Sequence, residues 1–182
     1  IMVSLIKNLA GMILLVVTLY SCSQGASLQR YYVDNQEQPN FLSIDIPVSM
    51  LNLDIAQLSQ EQKDAYKSIE KLNMLAYKVK PGQEMDYETE LAKVKTILND
   101  TKYEELMRGG DSEVGQFSIR ILGDEDDVEE FILFGNADDK GFAVVRVLGK
   151  DMNPNQIMTL FSALDKANID DSKLSQFTEF FK

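Results

Sequence analysis

The residues able to do chemistry in this chain are few and scattered. The most telling is Cys22, the only cysteine. It stands directly behind Ser21 and a short apolar run, Met12-Ile13-Leu14-Leu15-Val16-Val17, extended by Thr18-Leu19-Tyr20. A thiol in that position can accept an acyl or glyceryl group, and the residues before it can be removed as a leader. Carboxylates are the other resource: 29 Asp and Glu stand against 18 Lys and Arg, for a formal net charge of −11. Asp124-Glu125-Asp126-Asp127, continued by Glu129 and Glu130, gathers hard oxygens of the kind that hold Ca²⁺. The same run suits a solvated hairpin turn whose charge keeps foreign strands from pairing. Asn136-x-Asp138-x-Lys140-Gly141 echoes the opening of a calcium loop, but Lys140 stands where an oxygen ligand belongs and Val147 where the bidentate acid belongs. Asn, Asp and Gly form turns without any metal, so no metal site is expected at either place.

The missing residue types narrow the chemistry further. The chain has no His, which removes Ser-His-Asp and Cys-His nucleophiles, His-rich zinc sites and His general bases. Carboxylate pairs acting on a sugar, and Ser–Lys nucleophiles, survive that exclusion. The turns are short, however, and neither a cleft nor an oxyanion hole is legible. No catalytic residue and no cofactor is assigned. A surface this acidic repels phosphate backbones, because nucleic-acid binding depends on Lys and Arg contacts that release counterions. Nucleic acid is therefore excluded as a partner.

The apolar run before Cys22 is too short to cross a bilayer, which takes about 20 apolar residues. It has the length of a signal-peptide core. Met2 is the expected start, and Lys7 supplies the positive charge ahead of the core. Leu19-Tyr20-Ser21-Cys22 resembles a lipobox, with Ser21 the small residue before the cut. An uncleaved anchor or a buried core helix is the competing reading. On the lipobox reading, Cys22 becomes the new amino terminus and carries lipid chains (palmitate among them), each CH₂ worth about 0.8 kcal/mol when buried in a bilayer. Ser23 follows Cys22 in place of an Asp that would resemble an inner-membrane retention signal, and Ser23-Gln24-Gly25-Ala26-Ser27 has no acidic surface-export run. The expected location is the outer membrane, on its periplasmic face. Acylation would leave the body without a free thiol, so packing alone must hold the fold.

The expected organisation is a signal peptide over 1–21, a lipidated amino terminus with a flexible tether over 22–40, and one globular domain over 41–182. The tether carries a single sticky spot, Tyr31-Tyr32-Val33, placed to pack back on the domain or to touch headgroups. Phe41 to Ile46 alternates as a strand, and Pro47 opens a short helix carrying Met50, Leu51 and Leu53. Ser59 and Gln62 form a capping box for a helix whose apolar positions run Ala65/Tyr66, Ile69 and Leu72. Met74 to Val79 reads as a strand. Tyr87, Leu91, Val94 and Leu98 sit at i, i+4, i+7 and i+11 of an amphipathic helix. Tyr103 to Met107 is a strand turned by Gly109-Gly110, and alternating Phe117-Ile121, Val128-Phe134 and Phe142-Leu148 complete an antiparallel meander. Asn153 caps a helix with Pro154 at its first position and Ile157, Leu160, Phe161 and Leu164 as its buried stripe. Asn168 ends it. A last helix from Ser172 carries Leu174, Phe177, Phe180 and Phe181, either as a cap on the core or as a ligand groove. The fold class is α+β: an antiparallel sheet, mixed at its start, with flanking helices.

One strand carries a further surface candidate. Ala143, Val145 and Val147 share one face of it, and Phe142, Val144, Arg146 and Leu148 the other. Either the strand is central, with Arg146 paired to a nearby acid, or the Phe142-Val144-Arg146-Leu148 face is partly open and receives a partner.

Taken together, the lipobox, the Lys-Leu-Asn-Met-Leu-Ala-Tyr strand at 71–77, Tyr103-Glu104-Glu105-Leu106-Met107 and Val144-Val145-Arg146-Val147-Leu148-Gly149 resemble the Bacteroidetes lipoproteins of domain of unknown function 4252. The resemblance covers nearly the whole chain after Cys22. It implies an exported lipoprotein and brings no catalytic residue with it. The expectation is a non-enzymatic envelope lipoprotein that senses or binds an envelope protein or a small ligand, with the membrane as partner through its anchor. A carboxylate hydrolase of envelope polymers and a small lipid carrier are the alternatives.

Overall fold

Alternation of β-branched and aromatic residues with polar ones sets the backbone of the molecule. Six strands form one sheet in the order β1 (Phe41–Pro47), β2 (Ile69–Lys78), β6 (Gly141–Met152), β5 (Asp127–Ala137), β4 (Gly115–Asp124) and β3 (Tyr103–Asp111). The computed structural model describes residues 26–50, 54–111, 115–124, 127–164 and Phe180. Every neighbouring pair is antiparallel, including β1 with β2 where a mixed start was expected. Among the described residues four α-helices accompany the sheet: α1 (Leu28–Asn35), α2 (Gln60–Ser68), α3 (Glu84–Leu98) and α4 (Pro154–Leu164). The chain is thus an α+β fold with β3–β4–β5–β6 as a meander and β1–β2 added at its far side.

Register assigns every strand residue to one of two faces. Tyr77, Phe142 and Asn136 lie side by side on the first, as do Leu75, Val144, Phe134 and Ser118, and Asn73, Arg146, Ile132 and Arg120. Helices α1 and α3 cover this face and add Leu28, Tyr31, Tyr32, Tyr87, Val94, Ile97 and Leu98 to its core. On the second face Ile121, Phe131 and Val147 meet Ala65 of α2 and Ile157 and Leu160 of α4.

Several elements follow the sequence expectation closely. The Ser59–Gln62 capping box forms in both directions. The Asn153 side chain accepts hydrogen bonds from the Asn155 and Gln156 N–H groups, with Pro154 beginning α4.

Four expectations fail for identifiable reasons. Residues 28–35 of the supposed tether are a helix. Ser27 caps it, and its Leu28, Tyr31 and Tyr32 at i, i+3 and i+4 are buried. Pro47 closes β1 instead of opening a helix; a 3₁₀ turn, Val48–Met50, follows it, and Leu51 and Leu53 lie outside the described residues. Helix α2 stops at Ser68, so Ile69 and Leu72 belong to β2, whose pairing with β6 overrides their helical spacing. Gly109-Gly110 does not turn the chain. The β3–β4 ladder continues through Gly110↔Gln116 to Asp111↔Gly115, and Gly110 takes φ +88 where a Cβ would lie 2.0 Å from the Gly115 carbonyl oxygen.

Candidate functional site

The proposed partner face on β6 is filled. Phe142, Val144 and Arg146 are buried and Leu148 is half-buried beneath the helices. Arg146 is paired within the core: its Nε donates to Glu130 Oε2 at 2.9 Å and its Nη2 to Glu130 Oε1. This is a two-pronged guanidinium–carboxylate contact, the geometry a buried pair needs to offset its lost hydration. The Tyr32 ring lies 5.3 Å from the same guanidinium, and its hydroxyl donates to the Val144 and Asn73 carbonyls. Burial raises the Tyr32 phenol well above its ordinary range. The cluster thus pins α1 to the sheet, and it offers no surface to a partner.

The open feature lies just outside that cluster. A groove of about 700 Å³ runs between α1 and α3, lined by Ala26, Arg30, Tyr31, Ala92, Thr96 and Ile97 among others. The two helices run antiparallel across it. Leu28 N–H donates to the Tyr103 hydroxyl just beyond the end of α3, while the Tyr31 hydroxyl donates to Glu90 midway along it. Several polar groups of the walls are already bonded within the protein. Thr89 and Thr96 hydroxyls donate back to the Met85 and Ala92 carbonyls at 2.8 Å, which leaves the methyl groups for the groove. Lys93 is paired to Glu90 at 2.6 Å. Burial, and then Glu90 beside it, keep the Tyr31 phenol protonated far above its usual range. What remains is a mostly apolar trough with charge along its rim.

A second hollow, about 310 Å³ between the end of α3 and the β3–β4 ladder, holds Glu105, Arg108 and Arg120. Glu105 accepts from both guanidiniums, and the Arg108 hydrogen bond holds its carboxyl below the usual range. Both guanidiniums there are ion-paired.

The other sequence candidates separate. Glu130 leaves the acidic turn to pair with Arg146, while Glu125 and Asp126 lie outside the described residues. Asn136 to Gly141 forms the β5–β6 turn, with Asp138 accepting from Tyr87 at 3.4 Å. Among the described residues no group of three or more Asp, Glu, Cys or His is placed to hold a metal ion. Cys22, the leader expected over 1–21, Asn168, Ser172, Leu174, Phe177 and Phe181 lie outside the described residues, whereas Phe180 is half-buried. Among the described residues, no helix is long and apolar enough to cross a membrane. The groove itself was legible in one signal only: Ser27 ahead of Leu28, Tyr31 and Tyr32 has the cap and spacing of a short amphipathic helix.

A family model described as "Domain of unknown function (DUF4252)" matches residues 31–160. No curated protein and no solved structure matches the chain.

Proposed function

We propose, from the premise that this chain belongs to the DUF4252 family, that it is an exported cell-envelope lipoprotein. It is anchored through Cys22 to the outer membrane, periplasmic face, and acts as a non-enzymatic interaction or sensing module. The observation that carries this reading is the position of α1. The helix is bonded to the domain from its first turn, and the Ala26 carbonyl already accepts from Lys102 at 3.4 Å. Only residues 23–25 then separate Cys22 from fixed backbone, a reach of roughly 14 Å from Cys22 to Ala26. The α1–α3 side is held at the bilayer, and a partner meets the domain there at high local concentration.

Asp34 and Glu88 flank the groove and would be the carboxylates of a hydrolase. Both are exposed, so neither has the dry surroundings that separate an acid from a base. A carrier that closes its sheet around a ligand is not supported either, since the sheet is open and a packed core lies on each face.

Mass spectrometry of the native protein tests the anchor: the expected amino terminus is acylated Cys22, and an intact leader or free thiol there would refute it. Photo-crosslinking from position 93 in intact cells tests the binding role. A repeatable neighbour is expected, and its absence counts against an interaction module.

A further inference from the structure

We propose that the α1–α3 groove is an acyl-chain site, and that its occupant is a lipid chain carried by Cys22 of the same molecule. This rests on the lipoprotein reading above and adds where one chain goes. One end of the groove lies at the residues just before α1. Ala26, the first described residue, is itself part of the lining, next to Ser27 and across from Thr96 and Ile97. Whatever is attached four residues earlier therefore enters at that end, within the roughly 14 Å that the intervening backbone spans.

The lining suits hydrocarbon. The Thr89 and Thr96 hydroxyls are bonded to their own helix, the Tyr31 hydroxyl is bonded to Glu90, and Ala26, Ala92 and Ile97 have no polar side-chain atoms. The charged lining residues balance, Arg30 and Lys93 against Asp34 and Glu88, and Lys93 is already paired to Glu90, so no net charge opposes an apolar chain. The remaining volume, about 700 Å³, is of drug-pocket size, enough for a linear chain. One chain lies against α3 while the others stay in the bilayer.

The experiment separates this proposal from the anchor itself. The unacylated Cys22→Ser chain, made without its leader, is titrated with cis-parinaric acid, a fluorescent fatty acid. Saturable one-to-one binding is expected. It should weaken at least tenfold in Ala92→Trp, which fills the groove from an exposed position, and in Thr96→Lys, which puts a charge at its entry. Met85→Trp, on the same helix but outside the lining, should bind as the parent does, and far-ultraviolet circular dichroism should be the same for all variants. Saturable binding unaffected by Ala92→Trp and Thr96→Lys, or no binding at all, overturns the acyl-chain site whatever mass spectrometry says of Cys22. Native acylated protein in detergent should take up the probe at least tenfold more weakly than Cys22→Ser, because its own chain fills the groove. Equal uptake overturns self-occupancy. An unmodified Cys22 in the native protein removes the occupant and the anchor together, while probe binding by Cys22→Ser continues to report on the groove alone.

Discussion

The two faces of the sheet are built on different principles. Every buried polar residue among those described falls on the α1–α3 face by register: Asn73, Ser118, Glu130, Asn136 and Arg146. So do the buried tyrosines 31, 32, 77, 87 and 103, with Tyr77 and Phe142 stacked at 5.5 Å. The α2–α4 face buries no polar residue among those described: Ala65, Ile121, Phe131, Val147, Met152 and Leu160 make its centre. Hydrophobic burial is non-directional, so an apolar face accepts any packing of the right volume. Hydrogen bonds and a buried ion pair have one good geometry, and the wrong one leaves desolvated groups unpaired. The first face therefore specifies where an eight-residue helix docks, and an eight-residue helix alone could not hold its place.

Breaking the ion pair should give the largest effect. Glu130→Ala leaves the Arg146 guanidinium buried and unpaired, and should cost about 3–5 kcal/mol in denaturant unfolding. The double variant Glu130→Leu/Arg146→Met should recover most of that loss. If it recovers the stability but lets α1 exchange amide hydrogens rapidly, the pair serves to position the helix more than to stabilise the domain. On the other face, Leu160→Ala should cost about 2–5 kcal/mol through the cavity it leaves. Leu160→Met should cost less than about 1.5 kcal/mol, because the volume is kept. A heavy penalty for Leu160→Met would erase the contrast between the faces.

Tyr32→Phe removes the hydroxyl that serves the Val144 and Asn73 carbonyls, and should cost about 1–3 kcal/mol by thermal or chemical unfolding. Its effect should appear as loss of protection in α1 with α4 unchanged. Near neutral pH the smallest effect is that of pH itself. Burial raises the phenols of Tyr31, Tyr32, Tyr87 and Tyr103 above their unfolded value near 10. Their protonated forms are favoured by folding. That stability is complete below about pH 10 and is lost as pH rises beyond it. An alkaline titration followed by hydrogen exchange should loosen α1 and α3 before α2 and α4.

Much of the architecture could be read locally. The meander, the Ser59 capping box, the Asn153–Pro154 start of α4 and the i, i+4, i+7, i+11 stripe of α3 are all short-range patterns, and all appear. The errors have a common cause. Ile69 and Leu72 fit a helix period, but β2 needs them opposite Gly149 and Val147 of β6, far along the chain. The segment before Phe41 has the composition of a linker, yet two tyrosines and a leucine of it are buried in a core with residues 75–144. The Phe142-Val144-Arg146-Leu148 face looked available because its cover lies outside the strand, and the groove, made of residues from two helices far apart in sequence, had no contiguous signature.

By itself the sequence determined the alternation that makes strands, the caps that start helices, the acidic surface, the absence of His chemistry and the lone thiol behind an apolar run. These depend on neighbouring residues or on totals. Only the tertiary structure decided which acid meets Arg146, which face α1 closes, and that Ala26, four residues after Cys22, lines an apolar trough. Each of those is set by strand register and helix docking, and these bring together groups that no local period relates.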